Sequence, residues 1–510
     1  MSPTVSPPAS TAPVAVSEPV VVSEPAAVSE PVAVSEPVVV SEPVVVSEPV
    51  TVTQSRPTDR RSSLARHAPH LLALGLFAAY ATESVCRYRY MGTRSWDLGI
   101  FEQAIRAYAH LRTPVVDLKG PGLHVLGDHF SPVTALLAPF YRVFPSPVTL
   151  LVAQAALFAL SAVPVTRAAT RRLGRPRGLA IGVAYGLSWG LQRAVDFDFH
   201  EICFAVPLIG FSLEALLAHR WRAALLWALP LVLVKEDLGV TVAALALLVV
   251  VRAGRRGAPR DVALGVAVAS FGAVAALVTF TMIIPAFNTS GGYDYWSKVG
   301  EAGPFDGLDT KGRTLLWLLV PTTGLLALRS PLLIAALPTV GWRFLSSDDH
   351  YWGTSWHYSA VLMPIVFLAL VDALPAARRS PRRWLRSYAS HLPAGVAAAA
   401  LALTTSLPLS ALTEADAYRV PERVVAVEKL LATIPDGATV ESNVGPISRL
   451  TSRCRVFWIG RTEGLAPDYI VFDNSSRWVK DVPRYARQLH PRDHYELQGL
   501  VQGYVLLRRV

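Results

Sequence analysis

The stretch Ser95-Trp96-Asp97-Leu98-Gly99-Ile100-Phe101-Glu102-Gln103, with its continuation Gly127-Asp128-His129-Phe130-Ser131-Pro132, decides how the chain is read. It follows directly on the first long apolar segment, about residues 68–86, and so belongs at a membrane surface. Between its two ends Leu98, Phe101, Ile105 and Tyr108 recur at helical spacing, while Glu102, Arg106 and His110 line another face. That pattern predicts an amphipathic helix. Asp97, Asp128 and His129 can all exchange protons or hold a metal, which makes the loop a candidate roof for a reaction site.

The rest of the chain fits a membrane setting. Its 510 residues are 52% hydrophobic and the mean hydropathy is +0.37, too apolar for a soluble protein of this length. Apolar segments occur at about 68–86, 147–166, 178–194, 201–218, 221–235, 238–251, 261–285, 313–328, 331–345, 357–374 and 390–411. Many approach the roughly 20 residues needed to cross a bilayer; 221–235 and 331–345 are short and read as tilted or broken. The apolar stretch 131–143, with Pro132 and Pro139, reads as an interfacial or re-entrant element. The formal charge of +10 is dominated by Arg, with no basic stripe interleaved with aromatics. It therefore points to cytoplasmic loops rather than to nucleic acid. Cys86, Cys203 and Cys454 lie far apart and form no C-x-x-C pair, which argues against a disulfide framework or a zinc site.

Charge sets the expected orientation. Arg56, Arg60, Arg61 and Arg66 precede the first span and put the N-terminus in the cytoplasm. Alternating through about 11 spans then puts the basic connectors 167–177, 219–222, 252–260 and 378–386 inside. The same count sends Asp97, Asp128, His129, the run Asp196-Phe197-Asp198-Phe199-His200-Glu201, Lys235-Glu236-Asp237, Asp294 and Asp348-Asp349-His350 outward. Ionisable groups gathered on one membrane face are a functional hint.

Both ends differ from this middle. Residues 1–66 carry a Ser-Glu-Pro-Val unit repeated every six residues from Ser17 to Val50. Regular proline forbids helix and central strand, so this segment is expected to be a disordered cytoplasmic tail. Residues 67–411 form the multispanning domain, with a first outer loop at 87–146. Residues 412–510 have a globular pattern: a helix from Pro421 with Val424, Val427, Leu430, Leu431 and Ile434 on one face, strands at 439–441, 455–459, 469–472 and 504–507, and a helix near 479–489. This predicts a small extracytoplasmic α/β domain.

Several groups could carry chemistry. If the run from Asp196 is extended, Asp196, Asp198 and His200 share a face and become candidate ligands for a divalent ion, Mg or Mn. Asp97 could act as a general base or simply cap the helix that follows it. Asp128 and His129 could initiate the next short element or bind substrate. Lys235, Glu236 and Asp237 read as an internally neutralised turn or, with Arg343, as a phosphate site.

The order of four motifs resembles a bacterial multispanning family catalogued as domain-of-unknown-function family 2079. They are Trp96-Asp97-Leu98-Gly99-Ile100-Phe101-Glu102-Gln103, Gly127-Asp128-His129-Phe130-Ser131-Pro132, Asp198-Phe199-His200-Glu201 and Lys235-Glu236-Asp237-Leu238-Gly239. That family in turn looks like the GT-C class of integral-membrane glycosyltransferases, whose donors are sugars on polyprenyl phosphate. By this resemblance Asp97 matches the acidic residue of the first outer loop, and Asp196/Asp198 matches a second acidic motif after the third span. The Phe-His-Glu beside that second motif departs from the wording of characterised branches. The resemblance implies a mainly α, GT-C-like membrane protein that moves a sugar from a lipid-linked donor to an envelope glycan or glycolipid on the outer face. Two other classes remain open: a transporter of a solute or envelope precursor, and a non-catalytic scaffold. The absence of paired halves among the spans weighs against transport.

Overall fold

The computed structural model describes residues 60–94, 96–298, 303 and 305–510. The Ser-Glu-Pro-Val repeats and Ser95 lie outside them. Each apolar segment is helical. The helices are α1 Arg60–Arg89, α2 Asp97–Ala109, α3 Ala138–Val143, α4 Pro147–Leu173, α5 Arg175–Gly186, α6 Trp189–Asp196, α7 Ala205–Leu217, α8 Trp221–Ala228 and α9 Leu238–Gly254. They continue with α10 Pro259–Val278, a π-helical turn Thr279–Ile283, α11 Ile284–Phe287, α12 Leu308–Thr323, α13 Leu337–Leu345, α14 Leu362–Arg378 and α15 Arg383–Thr404. The helical stretches Pro147–Leu173, Pro259–Phe287 and His357–Arg378 are long and apolar enough to cross a membrane. Residues 131–143 form a 3₁₀ turn, Pro132–Leu137, running into α3.

Small residues set the closest helix contacts. A Cβ at Gly239 would lie 2.5 Å from the carbonyl oxygen of Gly272, and one at Gly272 would lie 2.6 Å from that of Gly239. The glycine of Lys235-Glu236-Asp237-Leu238-Gly239 therefore lets α9 and α10 meet backbone to backbone. At the end of the bundle reached by the last turns of α4 and α9, a half-buried acid, Asp372, and a buried one, Glu214, staple the helices. Asp372 takes Arg172 at 3.3 Å, Arg252 at 2.5 Å and the Ser330 hydroxyl at 2.8 Å. Glu214 takes Arg167 at 2.9 Å and also Arg171.

After α15 come α16 Glu422–Leu431, β1 Thr439–Ser442, α17 Val444–Leu450, β2 Arg455–Trp458, β3 Tyr469–Asp473, α18 Val482–Leu489, β4 Tyr495–Val501 and β5 Tyr504–Arg509. The sheet order is β2-β1-β3-β5-β4, with β1 parallel to β2 and β3, and β5 antiparallel to β3 and β4. Its central strands β3 and β5 are covered on both faces, with successive residues turning to opposite sides. Val440, Val456, Val471 and Leu506 face one core, and Ile470, Phe472, Val505 and Leu507 face the other. The first core is completed by Ile100, Ala104, Val116, Leu118 and Val125 from the loop that carries α2. On its other face α2 puts Leu98, Phe101 and Ile105 into the helical core. The helix is thus sandwiched rather than laid on a bilayer, and the sheet domain sits on the same face of the bundle as this loop.

The sandwich has specific fastenings. Gly99 is the point of closest approach, since a Cβ there would meet Ile447 Cγ2 at 2.4 Å and Leu118 Cδ1 at 2.8 Å. Glu102 is fully buried and accepts hydrogen bonds from Tyr141 at 2.8 Å and from the Thr451 hydroxyl. Gln103 donates to the Val456 carbonyl at 2.8 Å, and Arg106 donates to those of Thr451 and Cys454 at 3.0 and 2.9 Å. Arg455 forks onto Asp117 at 2.7 and 2.8 Å. Burial pushes the Glu102 carboxyl up to about 7, against the pull of its two hydroxyl donors.

Candidate active site

A cavity of about 860 Å³ opens between the helical bundle and the sheet domain, lined among others by Asp97, Asp128, His129, His200, Lys235 and Glu236. These residues come from three separate connectors, and each is aimed by local geometry. Asp97 is the first residue of α2, and the cap position is taken by Trp96. Trp96 is fixed edge-on to Trp458 of the sheet domain, ring centres 5.1 Å apart. The charge of Asp97 is felt by Tyr295 and Tyr358 across the cavity.

The second motif turns where it does because Gly127 packs on backbone. A Cβ there would sit 2.5 Å from the carbonyl of Phe287, and Asn288 donates to the Gly127 oxygen at 2.9 Å. This delivers Asp128 to Lys119 (3.0 Å) and Tyr295 (3.2 Å), and His129 to Glu236 (3.1 Å). Glu236 also accepts from Tyr293 at 2.9 Å and from the Phe130 amide at 3.2 Å. Burial and Lys235 push the His129 imidazolium down, but Asp128 and Glu236 outweigh them and hold it above its ordinary value.

Lys235 is not neutralised by its chain neighbours, as the turn reading expects. Its ammonium lies 3.1 Å from Glu201, whose other oxygen is 2.5 Å from Nδ1 of His200. Lys235, Glu236, His129, Asp128, Lys119 and His200 line the cavity, and the fully buried Glu201 behind them joins His200 to Lys235. Such an arrangement keeps cations at membrane depth without leaving them unpaired. Asp237 also lines the cavity.

Two expectations are corrected. The run from Asp196 is not extended: Asp196 ends α6 and Asp198 has φ of +70°. Consequently Asp196 and Asp198 turn from the cavity while Phe197 and His200 face it. Asp196 pairs with Arg87 at 2.8 Å and Arg94 at 3.1 Å, and Asp198 accepts from the Arg94 amide at 2.8 Å. The pair holds the start of the loop after α1 on the bundle, and Asp196, Asp198 and His200 do not converge as metal ligands. Among the described residues the group spaced to hold an ion is Asp348, Asp349 and His350 at the cavity rim, where Lys298 already sits 2.8 Å from Asp348. The residues present do not make the expected divalent-ion site. Arg343, expected as a phosphate ligand, is fully buried instead. It donates to the carbonyls of Tyr351 and Gly353 at 2.8 Å each and to Ser359 at 3.2 Å, clamping the aromatic loop.

Other lining residues escape sequence reading. Lys119, Tyr293, Tyr295 and Lys298 sit in connectors with no motif, although the aromatic crowding at 293–296 and 351–358 hinted at them. Arg461 follows β2 and brings a guanidinium from the sheet domain to the cavity. Phe280 enters from the π-helical turn, a distortion often found at functional sites.

Comparisons with known proteins agree with this architecture. The structure is similar to the crystal structure of ArnT from Cupriavidus metallidurans bound to undecaprenyl phosphate, with TM-score 0.54 and 13% identity, covering 85% of this chain and 97% of that one. The apo state of the same protein gives TM-score 0.45 and 12% identity over 80% of this chain and 92% of that one. No curated protein matches the sequence. The likeness shows the fold, a GT-C arrangement of membrane helices with a small C-terminal sheet domain. A family model described as "Predicted membrane protein (DUF2079)" matches residues 87–498, a span that takes in all four motifs, the residues that line the cavity and the sheet domain as far as the middle of β4. By that match the chain belongs to the DUF2079 family of membrane proteins.

Proposed function

We propose that this protein transfers a sugar from a polyprenyl-phosphate donor to a hydroxyl of an envelope glycan or glycolipid at the outer face of the membrane. The observation that carries the reading is the convergence of Asp97 with Lys235 and His129 in a single cavity. Attack of the acceptor oxygen on the anomeric carbon forms the new glycosidic bond as the bond to the phosphate oxygen breaks. The acceptor proton passes to the Asp97 carboxylate, and polyprenyl phosphate leaves as an anion. Positive charge at Lys235, His129 and Lys119 meets that anion and stabilises it in a water-poor site. The bilayer supplies the lipid tail. The sheet domain, through Arg461 and Trp458, borders the side from which an acceptor approaches. No step is routed through a metal. Undecaprenyl phosphate bound to the ArnT structure supports a lipid-linked donor in this fold.

The test is direct. Full-length protein purified in mild detergent should carry polyprenyl phosphate detectable by mass spectrometry. Asp97→Asn should fold and keep the lipid but lose transfer by roughly 10²–10⁴-fold, the span of a missing general base. An Asp97→Asn protein with wild-type turnover would remove the base. Wild-type protein with no affinity for any polyprenyl phosphate would remove the reading.

A further inference from the structure

We propose that the end of the cavity formed by Phe197, His200, Trp356, His357 and Tyr358 is a sugar subsite, in which His357 provides the hydrogen bonds to a pyranose ring. The inference rests on the glycosyl-transfer reading and assigns one part of its cavity.

His357 is 2% exposed and lines the cavity, yet neither of its ring nitrogens has a hydrogen-bond partner among the described residues. A buried imidazole normally finds at least one partner. Lys235 and His200 both lie against Glu201, and neither hydrogen-bonds to His357. What surrounds His357 is a set of flat ring faces. His200 stacks on it with ring centres 3.8 Å apart, Tyr358 lies at 4.2 Å, and Phe197 at 4.5 Å. Trp356 stands edge-on to Phe197 at 5.3 Å.

This combination selects a ligand class. A pyranose presents a C–H face that packs on aromatic rings and a rim of hydroxyls that both donate and accept. A neutral imidazole offers one donor and one acceptor on opposite edges. Small-molecule sites take this form: apolar walls with a few convergent polar groups. A prenyl chain would leave both nitrogens unsatisfied, and an anionic phosphate is better met by the ammonium groups of Lys235 and Lys119. Tyr358, adjoining His357, lines the same cavity as Asp97, so the subsite and the proposed base share one chamber.

Binding of undecaprenyl phosphate and of undecaprenyl phosphate carrying glucose or mannose is measured on the full-length protein in nanodiscs. Three variants are compared with wild type: His357→Phe, which keeps the ring stack, His357→Gln, which keeps hydrogen bonding, and Trp356→Leu. Wild type is expected to hold a glycosylated lipid more tightly than the bare one. His357→Phe should lose roughly 10- to 100-fold for the glycosylated lipid, as expected for one or two lost hydrogen bonds with partners left unpaired. Its affinity for the bare lipid should be unchanged; His357→Gln should recover part of the loss, and Trp356→Leu should show the same selective loss. Equal loss for both lipids, or no loss for the glycosylated ones in His357→Phe and Trp356→Leu, overturns the sugar subsite while leaving lipid binding standing. Wild type that binds none of these lipids overturns the glycosyl-transfer reading and the subsite with it.

Discussion

Glu102 makes the joint between bundle and sheet domain sensitive to pH, with a sign fixed by its burial. Its carboxyl is pushed up to about 7 from an ordinary 4.5, because desolvation outweighs the hydroxyls of Thr451 and Tyr141. Below pH 4.5 the group is protonated whether the joint is closed or open, and it contributes no pH dependence. Between 4.5 and 7 the closed joint keeps a proton that the open one releases, so stability falls as pH rises. A shift of that size corresponds to about 3 kcal/mol, fully lost above pH 7. Glu102→Gln keeps an acceptor and a donor for the two hydroxyls but cannot ionise. Hydrogen exchange of α2 and α17 amides, followed from pH 5 to 8 and corrected for intrinsic rates, reads the opening equilibrium. Wild-type protection should drop by roughly two orders of magnitude relative to Glu102→Gln across that range. Parallel pH profiles for the two proteins would refute the argument, since they would mean the carboxyl carries no proton at the closed joint.

Three more outcomes follow from the geometry. Gly99→Val drives a side chain into Ile447 and Leu118 and should weaken docking of the sheet domain by about 1–3 kcal/mol, read as faster proteolysis after α15. Asp196→Ala leaves Arg87 buried without the nearest of its three carboxylate partners. It should cost about 3–5 kcal/mol of stability with no response to chelators or added divalent ions, whereas metal-dependent melting of wild type would restore the ligand role of this residue. His129 is held above its ordinary value, so its positive charge is present at low pH and fades as pH rises through that raised value. Affinity for undecaprenyl phosphate should fall over the same interval, and His129→Gln should flatten the profile.

Much of this molecule was legible in its sequence where a physical period or a forbidden residue was in play. Apolar runs gave the helices of the bundle, and the short strand candidates of the C-terminal segment coincide with β1, β2, β3 and β5. Edge strand β4 was missed because its residues are mostly solvated, and only the Gln502-Gly503 turn, with both residues at positive φ, betrays the hairpin. Short α17 was missed because Val444-Gly445-Pro446 reads as a turn. In the candidate site, the motifs identified Asp97, Asp128, His129 and Lys235, whose charges are conspicuous between apolar runs. Spacing could not reveal which charges turn inward. Asp198 in a left-handed conformation reverses the face of its whole run, so Asp196 and Asp198 serve Arg87 and Arg94 while His200 reaches the cavity. Arg343 was misjudged for a related reason, since its partners are carbonyls of a loop with no signature of its own.

The shared helix α2 has a consequence for biosynthesis. Its second face waits for partners more than 300 positions later: Arg455 for Asp117, 338 residues on, and Thr451 for Glu102, 349 residues on. Until those residues have left the ribosome, Ile100, Ala104 and Val116 form a greasy, unsheltered flank. A nascent chain, or one truncated before β1, would carry that flank as a mark for surveillance proteases, and its cavity would lack the wall to which Arg461 belongs.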